Sequence, residues 1–143
     1  MVRQLTFAAA GLALTLVAET LPVGAHHSFA AEFDANAKVT LKGVVTAMDW
    51  VNPHAWIHLD VKNQDGTVTP WMIETGTPNT LFRRGFTKDS LKAGTEIIVE
   101  GYRAKNGKPR ANGRDLMLPG GKRLFLGSSG TGAPVDGKDP GEK

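Results

Sequence analysis

Residues 54–75, HAWIHLDVKNQDGTVTPWMIET, decide how the rest of the chain is read. Over 54–62 the side chains alternate: Ala55, Ile57, Leu59 and Val61 fall on one side, His54, Trp56, His58 and Asp60 on the other. Alternation of this kind marks a strand with one face in a core and one face outside it. Gln64-Asp65-Gly66 supplies a hairpin turn, and residues 68–75 return as the partner strand. A lone hairpin cannot bury its apolar face, so further strands must cover it.

The flanking segments provide them. Upstream, residues 39–51, VTLKGVVTAMDWV, form a long β-type run with Gly43 inside, which predicts a bulge or sharp bend before Pro53 interrupts. Downstream, Thr77-Pro78 reads as a helix N-cap with proline in the first helical position, and Gly85 closes that short helix. Residues 87–93 predict a further helical turn. Residues 95–103, TEIIVEGYR, are a strong strand, Asn106-Gly107 turns the chain, and 115–118 with 122–126 form a last hairpin around Pro119-Gly120-Gly121. Three strands, a helix and then more strands predict a mainly β fold, a small OB-like five-stranded barrel with one short helix between strands 3 and 4. A long, bent first strand suits it, because that strand must serve both sheets. Another small barrel, or an open sheet capped by the helix, fits the same order.

The ends read differently. Arg3, the uncharged apolar run 5–18, the break at 19–22 and the small residues Val23-Gly24-Ala25 follow the pattern of an export signal. The run is shorter than the ~20 residues that span a bilayer. The expectation is a signal peptide over 1–25, removal after Ala25, a periplasmic or secreted location, and no membrane insertion afterwards. Residues 26–38 form a lead-in, 39–127 the barrel domain, and 128–143 a tail without large apolar residues, expected to be disordered.

Composition narrows the function classes. The chain has no cysteine, which excludes disulfides, thiolate metal sites and cysteine nucleophiles. The net charge of +3 is spread along the chain and never interleaved with aromatics, so nucleic acid is not an expected partner. Lys105, Lys108, Arg110 and Arg114 sit among Asn and Gly and read as a solvated loop. Glu32, Asp34, Asp49, Asp60 and Glu74 show no acid–base spacing, and there is no GxSxG nucleophile motif. No catalytic residue is assigned.

AHHSFAAEFD at 25–34, VTLKGVV at 39–45, DWVNPHAWIHLDV at 49–61 and the run from Thr75 to Gly107 resemble a family of short secreted bacterial proteins known only as domain of unknown function 6152. The resemblance implies an exported protein with a small β fold. It implies no activity.

Chemistry therefore has to come from the residues. Removal of 1–25 would make His26 the N-terminus, offering its α-amine and its own imidazole Nδ1 to one metal. With unperturbed pKa values of about 7.7–8.0 and about 6.5, both groups shed protons readily near neutrality. This arrangement resembles the histidine brace of secreted copper proteins, and a third nitrogen would suit Cu(II), with zinc the lesser choice in the absence of thiolates. The candidates for that nitrogen are His27, His54 and His58. His54 and His58 share a strand face, but four residues of strand set their Cα atoms roughly 13 Å apart, so only one of them is expected to join the terminus, His54 first. Equally, two histidines can be a frayed polar end, and His54 and His58 exposed strand residues. The methionines Met48, Met72 and Met117 are scattered and do not suggest a Cu(I) site. A second reading makes the barrel a module for a small molecule or a periplasmic partner protein. It would bind through Trp56, whose strand neighbours on its own face are polar, whereas Trp50 and Trp71 read as core.

Overall fold

The computed structural model describes residues 29–127. The segment 1–25 read as a signal peptide, His26, His27 and the tail from 128 lie outside the described residues. The elements, in chain order, are α1 (Phe29–Glu32), β1 (Phe33–Asp49), β2 (Trp56–Lys62), β3 (Val68–Glu74), α2 (Pro78–Arg83), β4 (Glu96–Ala104), β5 (Arg110–Met117) and β6 (Arg123–Phe125).

Five strands close into a ring. β1 pairs antiparallel with both β2 and β4, β2 with β3, and β4 with β5, while a parallel pairing of β3 with β5 completes the circle. This is the OB-type order, with α2 between β3 and β4. β6 pairs with β5 alone, as a sixth strand outside the ring.

β1 makes closure feasible. Its first part pairs with β4 as far as Val44↔Glu96, and its last part pairs with β2 from Val44↔Asp60 onward. At the changeover the strands approach closely: a Cβ on Gly43 would stand 2.5 Å from the Asp60 carbonyl oxygen and 2.9 Å from Leu59 Cγ. Only glycine fits there, and a register shift between Val45 and Ala47 follows it.

Alternation sorts the side chains. Ile57, Leu59, Ile73, Ile97, Val99 and Leu116 point into the ring and are almost wholly buried. Trp71 is buried among them, and Trp50 packs at the edge of this core, stacked on Phe86 with ring centroids 6.3 Å apart. α2 closes one end with Leu81 fully buried. Its start is capped as expected: Thr77 Oγ1 accepts from the Thr80 amide at 3.1 Å, and Gly85 at φ +77° ends the helix.

Three sequence readings are corrected. The strand read from Val39 begins at Phe33. Residues 87–93 form turns instead of a helix: the Thr87 amide donates to Ser90 Oγ at 2.8 Å and the Ser90 amide to the Thr87 carbonyl at 3.0 Å. Short hydroxyl side chains that bond local backbone compete with helix in this way. The basic loop, finally, ends at Arg110, where β5 begins, so Arg110 and Arg114 are strand residues.

The β2–β3 turn carries one shifted acid. The Asp65 carboxyl accepts from Thr67 Oγ1 at 2.6 Å and from the Thr67 amide at 2.9 Å, and these bonds hold it below the ordinary aspartate range. A carboxylate depressed in the folded state favours folding at neutral pH and loses that contribution as pH falls through its lowered pKa. Carboxyl carbon NMR should give Asp65 a lower midpoint than Asp65 in a Thr67→Ala variant.

Candidate functional site

The outer face of the ring is covered on one side by the start of the described chain. Phe29 and Phe33 are buried against Tyr102 and Ala104, a small apolar cluster separate from the ring interior. Phe29 meets Tyr102 edge-on, centroids 5.3 Å apart at 87°, a favoured aromatic geometry. Lys105 ties the segment down, its amide donating to the Glu32 carbonyl at 2.9 Å and its Nζ to the Ala30 carbonyl at 2.6 Å.

Charged residues line the edge of this cover. Arg110, at the start of β5, places a guanidinium nitrogen 3.2 Å from Glu32 Oε2 and 3.9 Å from Glu74 Oε2. The same guanidinium lies 5.0 Å from the centroid of the Trp56 ring, a cation–π distance. Glu74 is only 8% exposed, and its Oε1 stands 3.9 Å from His54 Nε2. A carboxylate this far from water needs counter-charge or donors, and the Arg110 guanidinium approaches it at 3.9 Å. Among the described residues no buried side-chain nitrogen or oxygen is left without a hydrogen-bond partner.

His54 is buried and oriented. The β2–β3 pairing continues past the strand ends: the Thr75 amide and Oγ1 each donate to the Ala55 carbonyl at 2.9 Å, and the Ala55 amide donates to the Gly76 carbonyl at 3.2 Å. This clamp sets the Thr75 carbonyl 3.1 Å from His54 Nδ1. A carbonyl can only accept, so Nδ1 carries a proton, and in the neutral ring the lone pair belongs to Nε2, on the side of Glu74. An imidazole fixed through Nδ1–H to a backbone carbonyl is oriented as metal-ligating histidines commonly are.

His58 lies elsewhere. It projects outward from β2 and brings Nε2 to 2.8 Å from Asp49 Oδ2, with 31% of the side chain exposed. His54 and His58 therefore engage different partners. Trp56 is half-buried, with Arg110 over one face of its ring.

Alternation assigns His54 to the outer side of the strand and does not show that it is buried. Glu74 was one carboxylate among several, and Arg110 a loop cation. Their convergence depends on the β3–β5 pairing, which sets Glu74 opposite Asn112 and Met72 opposite Arg110. Among the described residues no group of three or more His, Asp or Glu side chains could hold a metal ion. No described helix is long and apolar enough to cross a membrane.

Neither the curated proteins nor the solved structures give a match to this chain. A family model matches residues 13–113, and the chain belongs to that family, the family of unknown function DUF6152.

Proposed function

We propose that this is an exported Cu(II)-binding protein whose ligands are the α-amine and Nδ1 of a mature N-terminal His26, together with His27 or His54 Nε2. One observation carries the reading. His54 is held through Nδ1 by the Thr75 carbonyl at 3.1 Å, which directs its remaining nitrogen toward Glu74 on the covered face. Phe29, three positions after His26, is anchored on the same outer face, and Glu32 reaches Arg110, which in turn approaches Glu74. Short reach favours ligands drawn from this segment and from His54. His58, occupied with Asp49, is left out of the set. Nitrogen-rich chelation with an amine favours Cu(II) over Zn(II), and Glu74 would act as an outer acid that orients and balances the charge of the bound ion.

The experiment begins with export and intact mass of the processed protein, which should start at His26. Cu(II) is then titrated against a competing chelator. Placing one alanine before His26 should weaken binding by more than the roughly 10–100-fold typical of losing an outer-shell partner, and of His27→Ala and His54→Ala the one that removes the third ligand should do the same. Glu74→Gln should fall within that range. Equal affinity in the extended and processed proteins would remove the proposal.

A further inference from the structure

The β2–β3 register sets His58 directly opposite Met72. Their neighbours Ile57 and Ile73 point into the ring and are fully buried, so His58 and Met72 share the outer face. Directly opposed residues carry Cβ atoms about 4.5–5.5 Å apart, within mutual reach of two long side chains. Both are open to solvent, Met72 at 37%. Asp49 accepts a bond from His58 Nε2 at 2.8 Å, which puts that proton on Nε2 and the lone pair of the neutral ring on Nδ1. This is the opposite tautomer to that of His54. A carboxylate–imidazole pair of this kind raises the basicity of the remaining nitrogen and steadies the ring.

The register thus sets one imidazole and one thioether residue opposite each other on the outer face, with the Asp49 carboxylate on the imidazole Nε2. Thioether donors select soft cations, Cu(I) foremost among biological metals, and discriminate against Zn(II), Mg(II) and Ca(II). On the other side Met72 lies opposite Arg110, whose charge is engaged by Glu32 and approaches Glu74. We propose that His58 Nδ1 and Met72 Sδ form a binding site for a soft monovalent cation, Cu(I), separate from the N-terminal Cu(II) site. The site uses no residue before β2 except Asp49. It survives, or fails, independently of where the N-terminus is cut.

Ag(I) serves as the redox-inert probe. In chloride-free buffer, protein labelled with ¹³C at the methionine methyls is titrated with silver nitrate. The Met72 methyl resonance should move first and saturate at one metal per chain, ahead of Met48 and Met117. His58→Ala and Met72→Leu should each weaken the first binding step by roughly tenfold or more, the loss of about 1.4 kcal/mol. Met117→Leu and the protein with alanine before His26 should bind as the parent does. An unmoved Met72 methyl at one metal per chain, or unchanged affinity in both His58→Ala and Met72→Leu, would overturn the site. Asp49→Asn adds a readout that loss of fold would not mimic: far-UV circular dichroism unchanged, with weaker Ag(I) binding.

Discussion

Tyr102→Ala is expected to destabilise the protein by about 3–5 kcal/mol, the range for removing a large buried aromatic. Tyr102 is 1% exposed and meets Phe29 edge-on across 5.3 Å. Its removal takes away the platform on which both Phe29 and Phe33 rest. For a domain of this size the loss should lower Tm by roughly 15–30 °C. The effect should also be uneven. The ring interior does not include Tyr102, so hydrogen exchange should rise most over α1 and the start of β1 and least over β2 and β3. Phe29→Ala should reproduce the local exchange pattern with a smaller global loss. Uniform acceleration in both variants would mean that the outer cluster and the ring interior unfold as one unit.

Arg110→Ala carries the second large effect, a loss of about 2–4 kcal/mol at neutral pH. Breaking a buried ion pair by removing one partner typically costs about 3–5 kcal/mol, because the other charge stays buried. The effect here is set somewhat below that range, since the Arg110 side chain is 29% exposed while that of Glu74 is 11% exposed. The change also uncovers Trp56 and releases Glu32. A double-mutant cycle separates these contributions. If the Glu74 charge dominates, Arg110→Ala with Glu74→Gln should regain most of the stability lost by Arg110→Ala alone. If the double variant is no better, the loss lies in the contacts to Trp56 and Glu32. Chemical denaturation of the four proteins at one pH gives the answer.

Much of the architecture could be read from local chemistry. The Asp65-Gly66 turn, the Thr77 cap with Pro78, and the alternation over 56–62 each act within a few residues and appear where the pattern places them, while the strand read from His54 begins at Trp56 and His54 itself is buried. The ring follows from the order of those elements. What escaped the reading depends on distant partners. Residues 110–117 contain Asn112-Gly113, a pair that signals a turn, yet both lie in the middle of β5. Gly113 is there because a Cβ would stand 2.7 Å from Ile73 Cγ2, on a strand 40 positions away in the chain. Arg110 was read as solvated for the same reason, its true neighbours being Glu32, Glu74 and Trp56. Met72 looked scattered among the methionines until pairing set it opposite His58. Spacing along a sequence shows what a residue can do, and strand register decides beside whom it does it.

The strap from Glu32 to Arg110 joins residues 78 positions apart. Synthesis runs N-terminus first, so α1 emerges long before Tyr102, Lys105 or Arg110 exist to receive it. Distant contacts of this kind are closed only after the intervening chain has given up its freedom. The segment that opens the described residues therefore waits for β4 and β5 before it can be seated, and its strap to Arg110 closes late.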